Sequence, residues 1–252
     1  MTRNIIRVFT AIILLFASMG FSRIQSTELL KQMVKFDQNY IPALALTNEG
    51  EREPSQKALQ RLTKFWENFS VQYYNYETPD TSWQSDVSQI TKSIAKANID
   101  MRQNKSLAQI HNDLESIRLT FMNLRKRNDI SYFPDHLTAF HGPMEHFLNI
   151  INKRKSGSLS ETDIRDLSNL YPDIQKLWKT VMKASLPTDL FGFNQQQTKQ
   201  ATDLIKQDGK IIQNLGTALR HNNQTEIIAN SKRLKYNFVK LYLMFGDFHG
   251  LK

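Results

Sequence analysis

Apolar residues recur at alternating three- and four-residue steps along almost the whole of this chain, and that rhythm governs what it can fold into. Leu107, Ile110, Leu114, Ile117, Phe121 and Leu124 are one such stripe, which a helix of 3.6 residues per turn gathers on one face. No segment alternates in the two-residue rhythm of a half-buried strand. The pattern predicts an all-α fold, an up-down bundle of about eight helices over 27–47, 54–74, 81–102, 105–127, 134–153, 160–184, 192–221 and 224–247. Start signals support these bounds. Pro54 suits a first helical turn, Ser160 with Asp163 has the form of a capping box, and Ser106 and Thr225 are placed to cap the helices they precede. The loops, such as "TNEGERE" and "LPTDLFGF", are short, as a bundle requires.

An internal repeat organises the helices. "LTKFWENF" (Leu62 to Phe69) and "IQKLWKTV" (Ile174 to Val181) share their pattern of apolar, Lys and Trp positions. Ile90, Ile94 and Ala97 correspond to Ile211, Leu215 and Ala218, and both helices then break at polar sequence, "RQNKS" against "RHNNQT". Leu107, Leu114 and Phe121 match Ile227, Leu234 and Leu241, while "YIPAL" from Tyr40 falls against "HGPME" from His141. The matches keep one order along the chain. They predict two similar four-helix units, 23–127 and 128–252, packed on each other or merged into one body.

The first residues carry a different signal. Arg3 and Arg7 precede "VFTAIILLFASMGF", an apolar run followed by small and then polar residues, which is the anatomy of a cleavable export signal over 1–22. The run is shorter than the roughly 20 residues a membrane span needs. The chain has no cysteine, so disulfides, thiolate metal sites and covalent c-type haem are excluded. A bacterial periplasm is the expected compartment. The formal charge of +9 becomes +7 without Arg3 and Arg7, a balance that favours an acidic envelope protein or an anionic membrane surface as partner. Export argues against nucleic acid. The basic clusters Arg125 to Arg127 and Lys153 to Lys155 fall at expected helix ends, where cations oppose the negative end of the macrodipole.

The candidate site comes from an echo. "LAQIHNDLESI" and "LTAFHGPMEHF" each place a His four residues before a Glu: His111 with Glu115, and His141 with Glu145. Residues four apart share a helix face and can reach one ion. Folding the fourth and fifth helices as a hairpin near Ile130 sets Glu115 level with Glu145, with a His about 6 Å to either side. This donor inventory is similar to that of carboxylate-bridged dinuclear sites in helical bundles, although those use Glu-x-x-His. The expectation is therefore a transition-metal ion, another small ligand or a non-covalent b-type haem at His111, Glu115, His141 and Glu145. His136 and His146 add imidazoles to the same segment. Neither His-Glu pair is duplicated in the repeat, where Ser231 and Lys235 stand for one and Tyr40 and Leu44 for the other. The alternative is that these residues are hydrogen-bonding groups at helix edges, paired with Arg118.

Gly142 and Pro143 interrupt the second pair, so the fifth helix either bends there or begins there. Trp66 and Trp178 read as repeated core anchors, and Met33, Met101, Met144, Met182 and Met244 as packing residues. His221 and His249 are expected in solvent. No Gly-rich phosphate loop, Ser-His-Asp ordering or His-Glu-x-x-His stretch is present. The sequence leans toward a binding protein rather than an enzyme.

Overall fold

The computed structural model describes residues 27–154 and 158–251; the expected export signal lies outside them. The described residues form eight long helices and one single turn, with no strand among them. In order they are α1 (27–49), α2 (Arg52–Tyr73), α3 (Trp83–Arg102), α4 (Leu107–Arg127), α5 (Phe133–Asn152), α6 (Glu161–Lys183), α7 (Thr188–Phe191), α8 (Gln195–Arg220) and α9 (Gln224–Leu243). Each long helix lies within about one turn of where the periodicity places it. No helix among the described residues is long and apolar enough to cross a membrane.

The helix ends show why the chain stops where it does. Ser106 caps α4 by accepting from the amide of Gln109, and Ser160 with Asp163 forms the expected capping box on α6. Thr225 does not cap α9. Asn223 does, accepting from the amide of Glu226 at 3.2 Å, because the helix begins two residues earlier than a Thr225 cap requires. The start of α8 is also displaced: the α7 turn ends at Gly192, whose φ of 68° is left-handed, and an Asn194–Gln197 capping box opens α8. Three hairpins share one stop. Asn104, Asp129 and Asn222 take left-handed φ values of 57°, 52° and 50°, and the next amide reaches back five residues, as in Lys105 to Asp100 at 2.9 Å and Asn223 to Ala218 at 2.9 Å.

Prolines inside helices leave carbonyls to be satisfied elsewhere. Pro42 cannot bond to the carbonyl of Gln38, which instead accepts from the amide of Asp247 at 2.9 Å and from Arg61 Nη2 at 3.3 Å. The C-terminal segment is thereby tied to α1 and α2. Gly246 is required by this closure, since a Cβ there would lie 2.9 Å from Ile41 Cγ2. Pro143 sits within α5, which runs through it and starts nearly three turns earlier with Pro134 in its first turn.

α3 packs against α2 and α4, as α8 packs against α6 and α9; α5 lies against α6, α9 and α4. The two tryptophans play matching parts. Trp66 donates to Thr91 Oγ1 at 2.9 Å and meets Phe36, Phe69 and Phe121, while Trp178 donates to the Ile205 carbonyl at 3.1 Å and meets Phe140 edge-on. Buried apolar side chains from α1 to α9 belong to one contiguous cluster.

The cluster Arg125 to Arg127 lies in the last turn of α4, as its position predicts, and two of its members make contacts beyond the helix end. Arg125 is buried at 2 % exposure, forks onto Asp135 and lies over the rings of Phe121 and Tyr132. It is part of the core because a guanidinium can stack and pair at once, and Arg127, two residues on, spans to Asp80 and Asp86. Met182 is about half exposed rather than packed inside.

Candidate functional site

The α4 stripe of Ile110, Leu114 and Ile117 faces the core, which leaves His111, Glu115 and Arg118 along its edge at steps of four and three. α5 presents His141 and Glu145 in the same way, and α9 presents Lys235, Phe238 and Tyr242. With α1 these helices enclose an open cleft of about 370 Å³. Ile41 and Leu44 of α1 and Val239 and Leu243 of α9 supply apolar wall; the charged residues line the rest.

The polar groups form one chain of contacts across four helices. His111 Nδ1 lies 2.9 Å from the Leu44 carbonyl, and its Nε2 lies 3.3 Å from Glu115 Oε1. The other oxygen of Glu115 accepts from Arg118 Nη2, and the same Nη2 donates to His141 Nδ1 at 2.6 Å. That bond puts the single proton of His141 on Nε2, which is 3.7 Å from Glu145 Oε1. Lys235 Nζ completes the chain at 3.1 Å from Glu145 Oε1. Tyr40 lies beneath, its hydroxyl donating to the Leu114 carbonyl at 2.9 Å.

Titration follows from this geometry. Burial, reinforced by the Arg118 charge, pushes His141 down to about 4, so the ring is neutral near pH 7. Burial alone would raise Glu115, but the His111 hydrogen bond and the Arg118 charge outweigh it and hold the carboxyl below its usual range. Arg118 is disfavoured by burial and restored by Tyr242, Glu115 and Tyr40, which together raise its pKa.

The four residues singled out in the sequence thus line one cleft, but as two His-Glu pairs with a guanidinium between them. Among the described residues no group of three or more His, Cys, Asp or Glu is arranged to hold a metal ion. Arg118 Nη2 stands where an ion shared by Glu115 and His141 would stand, and it supplies the positive charge itself. A b-type haem would bind through Nε2 of His111 or His141, and each of these faces a carboxylate. The donor set does not fit the expected metal or haem. His136 is half-buried against Phe133 and His146 is exposed on α5; neither lines the cleft.

Pairing with Arg118, the alternative reading, describes the contacts that form. Lys235, Tyr242 and the Leu44 carbonyl are participants that periodicity does not disclose. One signal pointed to Lys235: it is the repeat equivalent of Glu115, and opposite charges at equivalent positions suit two surfaces facing a common seam.

The same seam continues to Asp37 of α1. Burial raises its carboxyl to about 6 against the opposing charge of Arg125. Far from the cleft, Asp208 on α8 is fully buried and neither of its oxygens meets a donor at bonding distance. Burial lifts its pKa to about 8, with Asn237 opposing weakly.

No protein-family model, curated protein or solved structure matches this chain.

Proposed function

We propose that this chain is an exported, non-catalytic binding protein that takes a small organic molecule into the cleft between α1, α4, α5 and α9. The observation that carries the reading is the placement of the ionic chain from His111 to Lys235 along a cleft that also has apolar wall. Desolvating so many charges is unfavourable, and a scaffold needing only packing does as well with apolar side chains. A ligand site has a use for both surfaces: apolar walls supply affinity, and a few fixed polar groups supply orientation. The volume lies within the range of about 300–1,000 Å³ found for small-molecule clefts. A metal ion at His111, Glu115, His141 and Glu145 would have to displace Arg118, so the reading rests on an organic ligand.

The test is a screen of small polar and amphipathic solutes by thermal shift on the chain from residue 23, repeated with Ala45→Trp, which fills the cleft from α1. Compounds that raise the melting temperature of the parent and not of Ala45→Trp would support the reading. A broad library with no such compound at millimolar concentration would overturn it.

A further inference from the structure

We infer that the ligand is a zwitterion with an apolar body, of the kind represented by an amino acid with an aliphatic or aromatic side chain. This deepens the cleft reading and rests on it.

The signs of the charges, and where they reach solvent, select the ligand. Along the chain of contacts the formal charges alternate: Glu115 negative, Arg118 positive, Glu145 negative, Lys235 positive. Glu115, Glu145 and Lys235 keep 29 %, 28 % and 44 % of their side chains exposed, whereas Arg118 keeps 9 %. The cleft therefore shows an incoming molecule the carboxylates of Glu49, Glu115 and Glu145 and the ammonium of Lys235, over a deeper guanidinium that fixes Glu115. His141, neutral with Nδ1 blocked by Arg118, adds no charge.

Such a surface discriminates by charge pattern. A lone anion would gain Lys235 but meet Glu115 and Glu145; a lone cation would gain the carboxylates but meet Lys235. A molecule with both groups a few bonds apart satisfies both signs, and charge-assisted hydrogen bonds are the strong ones in a partly desolvated site. A primary ammonium has three donors, enough to bridge carboxylates on α4 and α5. The remainder of the ligand would lie on the apolar wall, where Val239 and Leu243 are the accessible side chains and Ile41, Leu44 and Phe238 are buried.

Calorimetric titration of the chain from residue 23 near pH 7 with leucine, 4-methylpentanoate and 3-methylbutylamine tests this. The last two compounds keep the carbon skeleton and lack, respectively, the amine and the carboxylate. Leucine or phenylalanine should bind at least about tenfold more tightly than either single-charge compound. Glu145→Gln and Lys235→Met, both at partly exposed positions, should each weaken leucine binding about tenfold while the circular dichroism spectrum is kept. Equal binding of either single-charge compound overturns the inference. So does failure of the amino acids when other compounds bind in a way that Ala45→Trp abolishes, in which case the cleft remains a binding site for a different class. If nothing binds in a cleft-dependent way, both readings fall.

Discussion

Arg118 Nη2 donates to His141 Nδ1 at 2.6 Å and, from the same nitrogen, to Glu115. One atom thus joins the two His-Glu pairs that the sequence sets thirty positions apart. It fixes the tautomer of His141, neutralises Glu115 and ties α4 to α5. The relationship places a cation that belongs to the chain at the point on which these residues converge.

His141 makes stability depend on acid. Its pKa is about 4 when folded and about 6.5 when unfolded, so between those values the unfolded chain binds more protons and stability falls as pH falls. The full effect is about 3 kcal/mol at about 1.4 kcal/mol per unit, present above pH 6.5 and lost by pH 4. Urea unfolding from pH 7 to 4 should show this loss, and His141→Gln should remove most of the slope. An unchanged slope in the variant would mean that other groups titrate there.

Asp208 acts with the opposite sign. Its folded pKa of about 8 exceeds the ordinary value of 3.8, so the folded chain holds the extra proton and stability declines as pH rises from about 4 to 8. The shift sets an upper limit of about 5–6 kcal/mol. Asp208→Asn should therefore gain several kcal/mol relative to the parent at pH 9 and much less at pH 5. Equal gains at both pH values in guanidinium unfolding would show that the carboxyl has found a partner.

Removing the internal cation should create what the sequence suggested. In Arg118→Ala, His141 Nδ1 and Glu115 Oε2 both face the space that Nη2 leaves, and His111 remains beside Glu115. Zinc affinity in equilibrium dialysis should rise at least about tenfold over the parent. If the variant unfolds, restoration of its thermal transition by zinc reads the same gain. Stoichiometric zinc on the unaltered protein would instead return His111, Glu115, His141 and Glu145 to a metal role.

Arg125 is the buried cation that the seam depends on most. Its fork onto Asp135 and its charge beside Asp37 are lost in Arg125→Leu, which leaves two carboxylates without their counter-ion. The expected cost is about 3–5 kcal/mol near pH 7. It should shrink as pH falls from 7 through about 6, where Asp37 takes a proton, since its pKa rises further without Arg125. A loss that is constant from pH 7 to 4.5 would assign the effect to packing on Phe121 and Tyr132 alone.

The helices were legible because each must bury an apolar stripe, and a stripe at 3.6-residue spacing is a local property of the sequence. Ser106 and the Ser160–Asp163 box were legible for the same reason, since a cap and its amide are three residues apart. Thr225 misled because Asn223 offers an equally suitable oxygen two residues earlier, and only the Schellman turn at Asn222 selects between them. Arg125 was legible as a cation at a helix end, but its fork onto Asp135 and its place over Phe121 and Tyr132 depend on side chains that packing brings to it.

The sequence by itself determined that this chain is a cysteine-free bundle of long helices, and it brought His111, Glu115, His141 and Glu145 forward as residues the repeat does not explain. Tertiary structure alone decided their chemistry. Whether two carboxylates and two imidazoles hold an ion depends on what stands between them, and that is set by helix rotation and by contacts such as Lys235 with Glu145, ninety residues apart. Local spacing fixes which face a side chain shares; only packing of the faces fixes which charge it meets.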